Sequence, residues 1–489
     1  MKVKYILYLF IVGLLVFPAC DDKLEEVNEN PNVPLNVTPD LLLPNVIRES
    51  VNRTVNDNWE IGNIVVQYTA KIQFVNEDRY NWGVRDGIWN TFYGCLRDVN
   101  NILIISESEN QNNYRAIGLI LKSWMFAFMT DLYGNIPYSE ATNAKEGIYF
   151  PVYDSQESIY NGILTDLETA NEIIGTTNES VSGDILYNGN LNKWKKFSNS
   201  LRVRYLMRSS DRMDVNAQLT QIIANPETYP VFTSTDDDAR LTYTKVYPNQ
   251  FPLHTIRVGS FDEYRLSRHF CDTLLMLDDP RIKVFARATA ATADLPEDQQ
   301  LYVGIPNGLD DVTALTYNGG AQNISRVGSY FYEDAITETG LAVAQGNIMS
   351  YAELQFTLAE ASRKGMIPEN TQEYYENGIR AAFEMFTVEM PSDYLTREHV
   401  AYNNNDALEL IGLQKWISYF FNGLEAWCDW RRTGIPVITP GPSNLNDNRV
   451  PVRFIYPLSE QSVNTENRAN AVAVQGADDL NTRVWWDVN

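Results

Sequence analysis

Histidine is scarce in this chain of 489 residues: there are three, His254, His269 and His399. None stands in an HExxH pair or beside cysteine ligands, so a catalytic zinc has no motif to occupy. Basic residues are few as well, 39 Lys and Arg against 63 Asp and Glu, a formal charge of −24. A protein that grips phosphates needs clustered cations. The densest groupings here are pairs such as Lys195-Lys196 and Arg431-Arg432, which argues against nucleic acid and anionic lipid headgroups as partners. The Gly-x-Ser-x-Gly elbow, the Gly-x-Gly-x-x-Gly fingerprint and the Walker loop are missing, which argues against acyl-transfer, dehydrogenase and nucleotide chemistry. A glycosidase needs just two carboxylates, and 63 acids neither exclude that chemistry nor locate it. Cysteine is limited to four residues. Setting Cys20 aside, Cys95, Cys271 and Cys428 permit at most one disulfide and match no metal spacing. Cys95, on the apolar side of a helix, reads as a buried inert thiol.

Long apolar runs are also missing beyond the N-terminus, where Lys2 and Lys4 precede an apolar stretch from Tyr5 to Phe17. This is a secretory signal, too short to span a bilayer core of about 30 Å. Pro18-Ala19-Cys20 closes it with a small residue before a cysteine, the pattern of a bacterial lipoprotein signal, although Phe17 stands where Leu is usual. Residues 1–19 are therefore expected to be a signal peptide, and Cys20 to carry acyl chains as the membrane anchor. Residues 20–40, rich in Asp, Glu, Asn and Pro, read as a flexible acidic tether, and 41–489 as a single domain.

Aromatic residues are plentiful, with 28 Tyr, 20 Phe and 10 Trp. One population recurs at helical spacing. Thr38-Pro39-Asp40 starts a helix. Ile88, Phe92, Leu96, Val99 and Leu103 form one stripe, and Tyr114, Ile117, Leu121, Trp124 and Phe128 another, predicting an antiparallel pair. Asp154-Ser155-Gln156-Glu157 resembles a capping box before Ile159, Ile163, Leu167, Ala170 and Ile174. Further helices are predicted over Ile348 to Ala361, from Asn370 to Phe383, and as a single element from Leu408 to Leu424. Trp89, Trp124 and Phe128 belong to the core by periodicity. The fold class is mostly α: tetratricopeptide-like helix pairs forming an α-α superhelix, with long loop-rich excursions and a few short strands. Two excursions, Phe232 to Tyr264 and Ala288 to Ala344, are of the length and composition that carry function. Asp236-Asp237-Asp238 offers oxygen ligands suited to Ca2+, but without EF-hand spacing it reads as a solvated turn. No cofactor is expected, and a structural Ca2+ would have no located site.

The C-terminal third carries Phe421-Asn422-Gly423-Leu424-Glu425-Ala426-Trp427-Cys428-Asp429-Trp430-Arg431-Arg432-Thr433-Gly434, followed by Pro451-Val452-Arg453-Phe454-Ile455-Tyr456-Pro457. Earlier come Asp131-Leu132-Tyr133-Gly134-Asn135, Leu277-Asp278-Asp279-Pro280-Arg281 and Tyr302-Val303-Gly304-Ile305-Pro306-Asn307-Gly308. Together and in this order they make the chain resemble the SusD/RagB family, nutrient-binding outer-membrane lipoproteins of Bacteroidetes, from Cys20 to the C-terminus. Taken as residues, the alternating aromatics and charges of Glu425 to Arg432 read as a lock between a helix end and its neighbours, and Asp279-Pro280-Arg281 as a turn with an acid-base pair.

The resemblance implies helix pairs packed against a SusC-like TonB-dependent transporter, with the opposite, loop-rich side capturing an oligosaccharide or a peptide and no covalent chemistry. Sugar rings stack their C–H faces on aromatic rings, while their hydroxyls need polar partners. The expected contacts are Tyr80, Asn81 and Trp82; Tyr247, Asn249 and Gln250; Tyr302; and Tyr317, Asn318, Tyr330 and Tyr332. A secreted glycan hydrolase and a helical-repeat scaffold that binds protein alone are the alternatives.

Overall fold

The apolar stripes become helices where the spacing places them. The computed structural model describes residues 37–244, 246–256, 258–332 and 344–488; the expected signal peptide, Cys20 and most of the tether lie outside them. The longer helices are α1 (Pro39–Asp57), α2 (Gly87–Ser108), α3 (Asn112–Tyr133), α4 (Gln156–Ile173), α5 (Leu191–Ser209), α6 (Asn216–Ala224), α7 (Arg268–Met276), α8 (Tyr351–Arg363), α9 (Thr371–Met385), α10 (Ala407–Ser418) and α11 (Gly423–Thr433), followed by α12 (Leu458–Val463) and α13 (Thr465–Gln475). From α1 to α5 each long helix packs on the next, and α5 then packs on α8, which lies against both α9 and α10. Residues from Pro39 onward form one compact unit. Ser155 caps α4, its side chain accepting from Ser158 N. Helix α3 has the length and hydropathy of a membrane span, but 94% of its most apolar window is buried inside the protein, so it is the central core helix.

Strands are short and occur, among the described residues, as three antiparallel pairs: β1 (Thr69–Lys71) with β5 (Tyr264–Leu266), β2 (Ile136–Pro137) with β3 (Tyr153–Asp154), and β4 (Ala239–Leu241) with β6 (Gly346–Met349). The β1–β5 pair, in register Thr69 to Leu266, ties the first loop after α1 to the start of α7.

The single helix expected from Leu408 to Leu424 is two helices. The chain breaks at Tyr419–Asn422, where Phe421 has φ +71°. The cause is a close crossing with the π-helical segment Asn58–Gly62: Leu424 N donates to Asn58 Oδ1 at 2.8 Å, and a Cβ on Gly62 would sit 2.7 Å from Leu424 N. The Asp236-Asp237-Asp238 turn is not solvated either. Asp237 and Asp238 are buried, the first held by Lys196 Nζ at 2.8 Å and the second by Arg240 Nε at 3.1 Å. Among the described residues no group of three or more His, Cys, Asp or Glu is arranged to hold a metal ion. Cys95, Cys271 and Cys428 are free and buried, and burial pushes each thiol up to about 12.

Helix α11 works as the lock its sequence suggests, with partners from distant elements. Arg431 stacks between Trp427 and Trp486, 4.3 and 4.7 Å from their ring centres, and donates to Asp131 O and Val452 O. Glu425 takes Arg208 and lies 3.7 Å from Arg204 of α5; Arg208 also reaches Asp131. Asp429 receives Lys415 at 2.8 Å and Arg432 at 3.0 Å, and Arg432 continues to Glu360 of α8. Burial opposes ionisation of Glu425, but Arg204 and Arg208 outweigh it and hold the carboxyl below its ordinary value. Likewise Asp279 and Arg281 form a buried pair at 2.6 Å, closed by Tyr394 and Gln414. These paired charges make a rigid body against which loops can be positioned.

Candidate functional site

Three chain-distant loops meet over the N-terminal end of α7 and leave a cleft of about 350 Å³. Its wall residues are Gln67, from the loop after α1; Arg268, His269 and Asp272 of α7; Pro306 and Asn307; and the run Val437 to Pro442. The walls are set by backbone contacts. Arg268 N donates to Ile305 O at 2.8 Å and Ile305 N to Leu266 O at 3.0 Å, so the strand-like segment around Ile305 lies flat on the start of α7. Ser443 N donates to Gly308 O at 2.9 Å, and Leu445 N to Arg79 O at 2.7 Å. Where the walls meet, two glycines face each other. Gly308 has φ +68°, a Cβ there would lie 2.8 Å from Gly441 Cα, and one on Gly441 would run into Asn307 O. Gly441→Ala should therefore part the loops: amide exchange at Ser443 and Leu445 accelerates, while global stability falls by about 1–3 kcal/mol. Unchanged exchange at both amides would show that the contact does not close the wall.

Polar groups inside the cleft divide into those that hold it and those left over. Asn307 Nδ2 donates to Thr69 O (2.8 Å) and Asp78 Oδ1 (2.7 Å), and Ser267 Oγ donates to Asn307 Oδ1 (2.6 Å). Gln67 Nε2 donates to Thr439 O at 2.8 Å, which leaves Gln67 Oε1 to accept from His269 Nδ1 at 2.9 Å. That arrangement assigns the proton to Nδ1 and leaves Nε2 as an acceptor. Burial lowers the His269 pKa, with Asp272 pulling the other way, so the ring is neutral near pH 7. Arg268 and Asp272, one helical turn apart and both exposed, form neither an ion pair nor a side-chain hydrogen bond with any described residue. A free guanidinium, a free carboxylate and an imidazole acceptor thus share one concave surface with Pro306, Val437, Pro440 and Pro442. Strained backbone reaches the cleft at Gln67, with φ +60°, and recurs outside its lining at Phe74 and Tyr80 of the same loop, with φ +52° and +58°, a conformation that costs such residues free energy and tends to persist at functional sites.

None of the aromatics expected to touch a ligand lines this cleft. Tyr80 and Trp82 are 2% and 6% exposed, packed edge to face on each other, with Trp82 also against Trp427 and Phe454 and its Nε1 donating to Glu77 O. They are core residues, because the loop folds back onto α11 at that point. Asn81 beside them is exposed. Tyr332 is buried as well, stacked on Phe261 at 4.4 Å with its hydroxyl on Ile256 O. Tyr330 lines a separate, small cavity with Phe421. Tyr302 is half-buried against the main core, whereas Tyr317, also half-buried, packs against a small second core formed by Ala70, Ile72, Val75, Ile305, Leu309, Ala314 and Ile324, and Asn318 next to it is exposed. Tyr247 stands 84% exposed on a turn closed by Thr244 N to Asn249 O at 2.6 Å, with Asn249 exposed and Gln250 half-buried.

The chain belongs to the SusD-like family: the family model described as starch-binding and associating with the outer membrane matches residues 31–457. Among solved structures it is similar to a SusD homologue from Bacteroides fragilis, at 26% identity and a TM-score of 0.79 over 92% of this chain and 99% of that one. A chitin-binding SusD homologue from Flavobacterium johnsoniae is 26% identical, with a TM-score of 0.77 over 92% and 98% of the two chains. A further structure, a chitin-binding protein, is 26% identical with a TM-score of 0.79, over 93% and 100%. No curated protein matches the sequence.

Proposed function

We propose that this protein captures an oligosaccharide in the cleft over α7, anchored to the outer membrane at the cell surface through Cys20, and delivers it to a SusC-like TonB-dependent transporter. The observation that carries the reading is the unpartnered pair Arg268 and Asp272 in a pre-formed cleft. A sugar hydroxyl both donates and accepts, and a guanidinium beside a carboxylate supplies the complementary acceptor and donor without repacking. Binding rather than hydrolysis is supported by the lining: Asp272 is the one carboxylate among the described cleft residues, whereas a glycosidase works with two. The chitin-binding relatives make oligosaccharides of N-acetylglucosamine the first ligands to test.

Calorimetry with a panel of N-acetylglucosamine and glucose oligosaccharides is expected to find saturable binding without product. Arg268→Ala and Asp272→Ala should each weaken it by about 10- to 100-fold, the worth of a charge-assisted hydrogen bond. If both variants bind a confirmed ligand as the parent protein does, the cleft is not the capture site. Delivery is tested separately, by whether a β-barrel transporter co-purifies with the membrane-anchored protein.

A further inference from the structure

A second cavity, of about 250 Å³, lies where α8, α10 and α11 meet and shares no wall residue with the cleft over α7. Its floor is the outward side of the lock made by α11. Arg432 is held there by Glu360 and Asp429, and Glu360 also receives Lys364, from the end of α8, at 2.8 Å. Lys415 and Asp429 are less fully used. Lys415 is 3% exposed, yet its ammonium, which carries three donors, makes one hydrogen bond with the described residues, to Asp429 Oδ1 at 2.8 Å. Asp429 Oδ1 accepts that bond and a second from Arg432 at 3.0 Å, while Oδ2 accepts none from a described residue. At the rim Asp211 is exposed and forms neither an ion pair nor a side-chain hydrogen bond with any described residue. A buried ammonium with donors left over is unfavourable unless something in the cavity takes them. The rest of the wall is hydrocarbon, from Leu408, Ile411 and Ile435. Ile435 is pressed onto the backbone of α10, where a Cβ on Gly412 would lie 2.6 Å from its Cγ2.

Three cations and three anions thus line one cavity beside an apolar wall, and both signs keep unused hydrogen-bonding capacity. A lone carboxylate would be drawn to Lys364 and Lys415 but repelled by Asp429 and Asp211, and a lone ammonium would meet the reverse. The molecule that suits the whole lining carries both charges and a hydrocarbon group. We infer that this cavity binds a free α-amino acid with an apolar side chain: its carboxylate on Lys364 and Lys415, its ammonium toward Asp429 and Asp211, and its side chain against Leu408, Ile411 and Ile435. Size agrees, since pockets for drug-sized ligands run from about 300 to 1,000 Å³, and this one, at about 250 Å³, suits a single molecule of the class of leucine. The site is independent of oligosaccharide capture over α7.

The test is calorimetry on the full-length protein with leucine and three analogues: 4-methylpentanoate, which lacks the ammonium, leucinamide, which lacks the carboxylate, and glycine, which lacks the side chain. Leucine is expected to bind saturably and each analogue about tenfold or more weakly, the loss of one charge-assisted hydrogen bond or of the apolar contact. Lys415 is left intact because its removal would strand Asp429. Asp211→Asn and Lys364→Gln, both at the rim, are expected to weaken leucine binding about tenfold and to keep the parent's urea midpoint. No binding of leucine overturns the inference, as does equal affinity for 4-methylpentanoate and leucinamide, or parental affinity in both variants. A fall in the variants' urea midpoints that accounts for the lost affinity overturns it as well. Neither variant is expected to change oligosaccharide binding, so this inference and the capture reading stand or fall separately.

Discussion

Arg208→Met is expected to destabilise the protein by about 3–5 kcal/mol, read as a lower urea midpoint. The guanidinium is buried and joins α5 to two other helices at once, through Asp131 of α3 and Glu425 of α11. Burial raises the Asp131 pKa, the Glu425 charge adds to the rise, and Arg208 is the largest influence against it. Removing the cation leaves two buried carboxylates facing each other in a low-dielectric interior, the situation in which breaking one partner costs far more than the pair was worth. Arg208→Lys should recover little, because a single ammonium cannot present the fork that serves both acids. A loss under about 1 kcal/mol would show that this network does not hold the helical layers together.

Stability should also rise as pH falls from 8 to about 5. Three buried carboxyls are raised by loss of hydration, Asp238 to about 7 and Asp57 and Asp78 to about 6, against an ordinary value of 3.8. The folded protein holds protons on them that the unfolded chain has released. Their stabilisation is complete below about pH 4 and is lost as pH climbs through 6 and 7. For Asp238 the displacement corresponds to roughly 4 kcal/mol at most. His269, lowered by burial, works in the opposite direction, its contribution being lost as pH falls below the ordinary histidine value. Below the ordinary carboxylate range a second group takes over. Burial resists ionisation of Glu425 and Asp429 too, but Arg204 and Arg208 on the first, and Lys415 and Arg432 on the second, lower both pKa values. Their contribution is present at neutral pH and is lost on acidification, so the optimum falls near pH 5. Asp238→Asn keeps an acceptor for Tyr351 N and should remove about half of the slope between pH 5 and 8, Asp57 and Asp78 carrying the rest. Urea midpoints that are level across that range, or a slope that the substitution leaves undiminished, would contradict the assignment.

Elements whose burial is one-sided were legible from sequence. Helix α2 buries Ile88, Phe92, Leu96 and Val99 along the predicted stripe, and Ser155 caps α4. Helix α5 was not legible. It is buried around its whole girth from Phe197 to Ser209, and its interior face includes Arg202, Arg204 and Arg208, so no apolar period marks it. The cleft was hidden for a different reason. Arg268 and Asp272 stand four apart on a helix, a spacing that reads as an ordinary surface ion pair, and only the fold shows that the pair is not formed. Gln67, Asn307 and Gly441 join them from segments far apart in the chain, each unremarkable alone. The faint signals were the turn residues Gly304-Ile305-Pro306-Asn307-Gly308 and Pro440-Gly441-Pro442. Aromatic content in loops misled where a loop folds back on the helices, as Trp82 does on Trp427.

The meeting of Gly308 and Gly441 fixes a dimension. Because the two backbones touch with no side chain between them, the span between the walls is set by the thickness of two peptide chains, and no single substitution can make it narrower. Exchanges at Arg268, Asp272 or Val437 alter what the walls say to a ligand of a given girth. Accepting a thicker one, such as a branched chain, requires parting that contact, by a side chain at Gly308 or Gly441 or by lengthening the segment from Val437 to Leu445. Changes along the walls and changes at the glycine contact therefore govern separate properties: the first the chemistry of recognition, the second the calibre of what enters.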